Sequence, residues 1–285
     1  MREPFEVKPP TGPESPVVVE VPHAGLDMPA HYLEPLAAPA RALARDADLY
    51  VDALYEDAAA EGASVIVARA SRYAIDVNRA EADVDSEVVE GARTDVLLHH
   101  GLVWRTTRDG EPALTRRLTR AELDERLDRI WRPYHRALAG LIEAKRSRFG
   151  VCVVLAAHSM PSTERPGHNA RSCAGGGGGP SRARADVVPG TRGRKSAAPR
   201  YIDAVESLAT ARGWSVRHDE PYAGGFTTQH YGRPADGVHV VQVELARRLY
   251  LDEATLRPAP GFGQVRAWCR SLVAELGRLG RLATP

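Results

Sequence analysis

The sequence predicts an α/β fold in which helices cover a mostly parallel sheet. Two observations carry this. Short, β-branched apolar runs recur at 16–21, 64–68, 151–157 and 238–245, each too short for a helix and bounded by turn residues. Segments of helical spacing lie between them, so the chain opens as strand, helix, strand, the order that builds a parallel pair.

Residues 1–15 read as a proline-rich arm. "PVVVEV" (16–21) is a buried strand ended by Pro22, and 46–62 is a helix stopped by Gly62 before the strand "SVIVA" (64–68). The clearest helix spans 119–149. Thr119 and Glu122 match a capping box, and Leu123, Leu127, Ile130, Tyr134, Leu138, Leu141 and Ile142 follow at helical spacing up to Gly150. Pro133 is expected to kink or split it. "VCVVLAA" (151–157) is the next strand. The glycine run inside 165–186 cannot pack a core, so this segment is expected to be a mobile loop. Beyond it, 199–212 reads as a helix, 214–219 and 238–245 as strands, and 260–279 as a C-terminal helix. Without an internal repeat or a large shift in composition, 16–285 is expected to be one domain.

The chain has 285 residues, with 38 basic and 37 acidic side chains and a net charge of +1. That balance offers no footprint for nucleic acid or an anionic membrane. Cys152, Cys173 and Cys269 are scattered and odd in number, against both a disulfide framework and a cysteine-based zinc site. The N-terminus lacks an apolar leader and no run approaches a membrane span, so a soluble, reduced, cytoplasmic protein is expected. The oligomeric state is not written in the sequence.

Three polar groups stand at the ends of apolar runs: His23, His158 and Glu244. In an open parallel sheet the carboxyl ends of the strands are where ligand sites form. Two imidazoles and a carboxylate there suit a catalytic zinc, which takes three protein ligands and keeps a position open. Spacing alone does not decide it, since strand-end histidines are more often plain loop residues. Within "RYAIDVNR" (72–79), Arg72, Asp76, Asn78 and Arg79 crowd together after a strand. Guanidinium groups and an amide can grip a carboxylate; a salt-bridged surface loop would look the same.

The ordered segments "VPHAGLDMP" (21–29), "DADLYVDALY" (46–55), "SRYAIDVNR" (71–79), "GLVWRTT" (101–107), "RPYHRAL" (132–138), "AHSMPS" (157–162), "DVVPGTRGRKS" (186–196), "EPYAGGFTTQHYG" (220–232) and "VQVELARRLY" (241–250) span most of the chain. Together they resemble the N-formylglutamate amidohydrolase family, which is similar in fold to zinc carboxypeptidases and the aspartoacylase group. The resemblance implies a three-layer α/β/α, zinc-carboxypeptidase-like fold with a mostly parallel mixed sheet (phosphorylase/hydrolase-like). It implies one Zn2+ per chain, a small N-acyl amino acid as substrate, and hydrolysis of N-formyl-L-glutamate to formate and L-glutamate. Another N-acyl amino acid, or a non-catalytic relative that binds metal or carboxylate, stays open.

The resemblance also implies roles. His23 and His158 are metal ligands, Asn78 and Arg79 bind the substrate carboxylate, and Glu244 is the general base. Carboxypeptidases place a glutamate three residues after the first histidine, where this chain has Leu26. The acidic ligand therefore falls to "DADLYVD": Asp48 is the choice, with Asp46 open to a helix-cap role and Asp52 to a solvated face. Arg72 is assigned to the carbonyl or oxyanion and Asp76 to orienting the arginines. Tyr222, Gly224, Gly225 and Thr227, in the loop that also carries His230, are assigned to the substrate. Tyr134 and His135 read as core or supporting groups. The family commonly carries an aspartate two residues before the second histidine, where this chain has Ala156. Loss of such an orienting partner commonly lowers metal affinity about 10–100-fold.

Overall fold

The computed structural model describes residues 3–92, 98, 100–164 and 182–282. Six strands make the main sheet: β1 (Phe5–Lys8), β2 (Val17–Val21), β3 (Ser64–Ala68), β4 (Cys152–Met160), β5 (Val187–Gly190) and β6 (Val238–Ala246). Their order is β1-β3-β2-β4-β6-β5. The four central strands are parallel, and β1 and β5 close the edges antiparallel. Every residue of β2, β3, β4 and β6 is buried. Both faces are covered, which is why these runs read as continuously apolar and not alternating.

Among the described residues there are seven α-helices: α1 (Ala40–Asp46), α2 (Val51–Leu54), α3 (Arg120–Arg126), α4 (Arg132–Phe149), α5 (Pro199–Thr210), α6 (Phe226–Tyr231) and α7 (Phe262–Arg281), all but α1 packed on the sheet. The period-two alternation of the strands divides them. Val17, Val19, Val153 and Val241 enter a core with α2, α5 and α7, while Val18, Val154 and Val240 enter the other with α3, α4 and α6. The result is an α/β/α sandwich. No helix among the described residues is long and apolar enough to cross a membrane.

The chain leaves β2 for β3 on one side and returns to β4 on the other. The carboxyl ends of β2 and β4 thus flank a switch point, where connecting loops diverge and leave a crevice. His23 and His158 stand on either side of it.

Several elements differ from expectation. The N-terminal segment is not a detached arm, because Phe5–Lys8 pairs with β3 from Phe5↔Ala68 to Lys8↔Val65. The expected helix at 46–62 is broken into α2 and a short 3-10 turn at Glu56–Ala59. Tyr50, at φ 64, takes the left-handed conformation that interrupts it. The Thr119–Glu122 capping box forms, and the helix expected over 119–149 is interrupted just before Pro133, in line with the split expected there. A π turn over Leu127–Trp131, in which the Arg132 N–H reaches back to the Leu127 carbonyl, loosens the helix just ahead of Pro133, the second residue of α4. Trp214–Asp219 makes only a single bridge, Val187↔Val216, in place of a strand. Of the segment 165–186, residues 165–181 lie outside those described, whereas 182–184 run back along 162–164 through Glu164 N–H to Arg182 O and Arg184 N–H to Ser162 O.

Candidate metal centre

The site is built from the strand ends inward. Pro22 ends β2 and His23 follows it. His158 and Glu244 are register partners on β4 and β6, so their side chains leave the same face of the sheet. Asp48 lies between α1 and α2; its N–H donates to the His23 carbonyl (2.9 Å), which turns its carboxylate toward the imidazoles. The resulting triangle is tight. His23 Nδ1 is 3.2 Å from His158 Nδ1 and 3.5 Å from Asp48 Oδ2, and His158 Nδ1 is 3.1 Å from Asp48 Oδ2. Zinc bonds of about 2.0–2.1 Å at the tetrahedral angle separate neighbouring ligand atoms by about 3.4 Å, so these three fit one face of such an ion. Among the described residues this is the one cluster of histidine, cysteine and acidic groups so arranged.

A second ring of contacts holds these three side chains. His23 Nε2 lies 2.7 Å from Asp76 Oδ1, leaving Nδ1 to face inward. Asp76 Oδ2 accepts from Arg72 (2.8 Å) and Trp104 Nε1 (3.1 Å). Asp48 Oδ1 accepts from Ser159 Oγ and from the buried Arg247, each at 3.4 Å. Burial works against the ionised form of Asp48, but hydrogen bonds from His158 and His23 outweigh it and hold the carboxyl well below the usual range. Burial likewise opposes charge on Asp76, and His23, Arg72 and Arg79 overcome it. Glu244 moves the other way: burial raises its pKa and Asp48 adds to this, against the pull of His158 and Arg108. Its Oε1 accepts from Gln242 Nε2 at 3.0 Å.

A model of the N-formylglutamate amidohydrolase family matches residues 15–251. The chain belongs to this family. An N-formylglutamate deformylase of Pseudomonas putida is 34% identical over 241 residues, covering 84% of this chain and 82% of the relative. One from Pseudomonas aeruginosa is 32% identical over 242 residues, with 84% and 83% covered. The crystal structure of an N-formylglutamate amidohydrolase from Ralstonia eutropha JMP134 superposes with a TM-score of 0.86 at 31% identity, covering 99% of each chain. A protein of Agrobacterium tumefaciens, 18% identical, shares the fold at a TM-score of 0.70 over 98% of this chain and 96% of its own.

Of the other residues that the family resemblance singled out, Asp76 and Asn78 touch the triangle and the rest do not contact it directly. Asp48, and not Asp46, is part of it. Asp46 Oδ2 instead accepts from Tyr73 OH and the Arg108 N–H, and Asp52 pairs with Arg69. Leu26 is exposed and takes no part. Arg72 stacks on Trp104 and donates to Asp76 and to the Asp46 carbonyl. Arg79, half-buried, donates to the carbonyls of His100 and Asn78. Asn78 reaches the centre directly, its Nδ2 lying 3.3 Å from His158 Nε2. The 220–232 loop closes over Asn78: Thr227 N–H donates to Asn78 Oδ1 (3.0 Å), and a Cβ on Gly225 would lie 2.4 Å from Asn78 Nδ2. Gly224 takes φ 109 to make that turn, while Tyr222 sits against Arg184. Tyr134 and His135 are buried; His135 Nε2 lies 2.8 Å from the Val77 carbonyl, behind the Asp76–Arg79 segment.

Sequence reasoning missed Glu20, Arg108, Gln242 and Arg247. Glu20 is fully buried, and burial raises its pKa to about 7 against the pull of His158 and hydrogen bonds from Thr227 and Tyr134. Its signal was present: an acid inside an otherwise apolar strand has to answer to something buried. Arg108, close enough to Tyr222, Asp48 and Glu244 for their charges to act on it, lies in a loop whose course no local pattern foretells.

Proposed function

We propose that this chain hydrolyses the formamide bond of N-formyl-L-glutamate, releasing formate and L-glutamate, with one zinc ion held by His23, Asp48 and His158. The observation that carries the reading is the Nδ1–Oδ2–Nδ1 triangle with Glu244 on the strand rung beside it. The deformylase relatives support the substrate. A zinc ion bound there supplies an acidified water and a Lewis acid for the amide carbonyl. Glu244, destabilised as an anion by burial, takes the proton from the attacking water and returns one to the departing amine. Asn78 and Arg79 receive the α-carboxylate, and Arg72, held by Asp76, offers positive charge where the oxyanion develops. Tyr222, Gly224, Gly225 and Thr227 shape the wall that closes on the substrate.

The test is a panel of N-acyl amino acids given to the purified, metal-analysed protein, with released acid and amine both quantified. Close to one zinc per chain and equal amounts of formate and glutamate are expected. Faster release from another N-acyl amino acid would transfer the assignment to that substrate. Bound metal without release from any member would make the chain a binding relative, and absence of tightly bound divalent metal would sink the mechanism.

A further inference from the structure

The two imidazoles of the centre are supported unequally. His23 has the Asp76 carboxylate behind it, whereas His158 Nε2 lies 3.3 Å from the amide nitrogen of Asn78. A neutral histidine that binds a metal through Nδ1 carries its proton on Nε2. That proton would meet the Asn78 Nδ2 hydrogens, a donor against a donor. The amide cannot turn round to help, because its Oδ1 already accepts the Thr227 N–H and Gly225 packs against it. Ala156, two residues earlier on the same face of β4, offers no acceptor.

An acceptor stands on the next strand. Glu20 of β2 is the register partner of Ala156, so its side chain leaves the same face of the sheet as His158. Its Oε1 accepts from Tyr134 OH (3.1 Å) and Thr227 Oγ1 (3.0 Å), while its Oε2 is buried with no hydrogen-bond partner. Strands about 4.8 Å apart put a diagonal neighbour within reach of two long side chains, and alanine at 156 places no polar group between them. A buried carboxylate oxygen without a partner is costly unless some state of the protein uses it.

We propose that Glu20 is the positioning residue for His158: its unpartnered Oε2 accepts the Nε2–H that His158 carries when Nδ1 binds the metal. Glu20 thus does for the second histidine what Asp76 does for the first, from across the strand in place of two residues back along it. A protonated His158 would pull the Glu20 pKa down, which puts the two groups within electrostatic reach of each other. The inference rests on the zinc reading above.

The test is zinc affinity, measured by competition with a chromophoric chelator on wild type, Glu20→Gln, and Glu20→Gln combined with Ala156→Asp. Glutamine still accepts from Tyr134 and Thr227 but turns an amide donor toward His158. A loss of about 10–100-fold in affinity is expected, with recovery when the Ala156→Asp change supplies a carboxylate from β4. Wild-type affinity in a folded Glu20→Gln protein would overturn the proposal. If that variant does not fold, Glu20→Asp decides: it keeps the charge and withdraws the oxygen, so unchanged affinity overturns the idea and weakened affinity supports it. Failure of the wild type itself to bind zinc would instead refute the metal reading.

Discussion

His158 and Glu244 face each other on one rung of the β4–β6 ladder, so a residue offered to the metal and the residue proposed to move protons are fixed by the same backbone hydrogen bonds. No loop has to fold to bring them together. Replacing Glu244 should therefore leave the ligand triangle standing. Glu244→Gln is expected to retain zinc at wild-type stoichiometry and to lose about 10²–10⁴-fold in kcat. Turnover assays alongside metal analysis decide it; undiminished kcat would remove Glu244 from the base role.

Asp46 and Asp48 are two residues apart and differ in what they hold. Asp48 faces both imidazoles, while Asp46 ties Tyr73 and the Arg108 backbone to the end of α1. Asp48→Ala should abolish tight zinc binding. Asp46→Ala should keep the metal and lower stability by about 1–3 kcal/mol, since it leaves buried donors unpaired. Isothermal titration with zinc and urea denaturation of the two variants separate the roles. The opposite pattern would exchange them.

Asp76 joins the His23–Asp48–His158 triangle to the arginine cluster, accepting from Arg72 and Trp104 on one oxygen and meeting His23 on the other. Asp76→Ala strands a buried guanidinium and frees the His23 ring. A loss of about 3–5 kcal/mol in stability is expected from breaking the buried pair. Zinc affinity should fall about 10–100-fold with it. If affinity holds while stability drops, Asp76 serves the arginine alone.

Gly225 bears on Asn78 and is not part of the His23–Asp48–His158 triangle. A methyl group there would lie 2.4 Å from the Asn78 amide nitrogen, so the amide or the loop must give way. Gly225→Ala is expected to raise KM for the acyl amino acid more than it lowers kcat, to leave zinc bound, and to cost about 1–3 kcal/mol from overpacking. Steady-state kinetics that show an unchanged KM would place the carboxylate away from Asn78.

The sheet was legible because its strands are buried on both faces and its residues announce it: β2, β3, β4 and β6 are valine-rich runs that cannot be solvated. His23, His158 and Glu244 stood out as polar groups at the ends of such runs, but their proposed roles came from the ordered family motifs and not from that position. What escaped depends on backbone turns that carry no local signal. Tyr50 adopts a left-handed conformation with neither glycine nor proline nearby, and that break frees Asp48 from a helix face to enter the site. The contact between Thr227 and Asn78 spans 149 residues and arises only when α6, just before β6, packs onto the segment that follows β3. Glu20 was visible as an acid in an apolar run, but its partners sit on α4 and α6, which no spacing along β2 reveals.

His135 gives the fold a pH dependence of its own. Its ring is buried between Trp131, Phe226 and Tyr231, and lies 2.8 Å from the Val77 carbonyl and 3.0 Å from Tyr231 OH. Burial lowers its pKa to about 4, overriding the help of the Val77 carbonyl, and His230 adds to the lowering. In the unfolded chain the same ring titrates near 6.5. Between these values the unfolded state binds the proton and the folded state does not, so stability rises with pH across the window and falls as the solution is acidified. The loss attributable to His135 from pH 6.5 down to pH 4 is about 3 kcal/mol. His239 and His100, lowered to about 4 and about 3 by burial, act in the same direction, so the wild-type curve contains more than one contribution. The difference between wild type and His135→Gln isolates one of them. Glutamine can donate to the Val77 carbonyl and accept from Tyr231 but cannot gain a proton in this range. Urea denaturation at a series of pH values should show the wild type losing more stability than the variant between pH 6.5 and 4, with the two curves parallel above pH 7. Parallel curves throughout would mean that His135 is already protonated in the fold, or is not shielded as its packing requires.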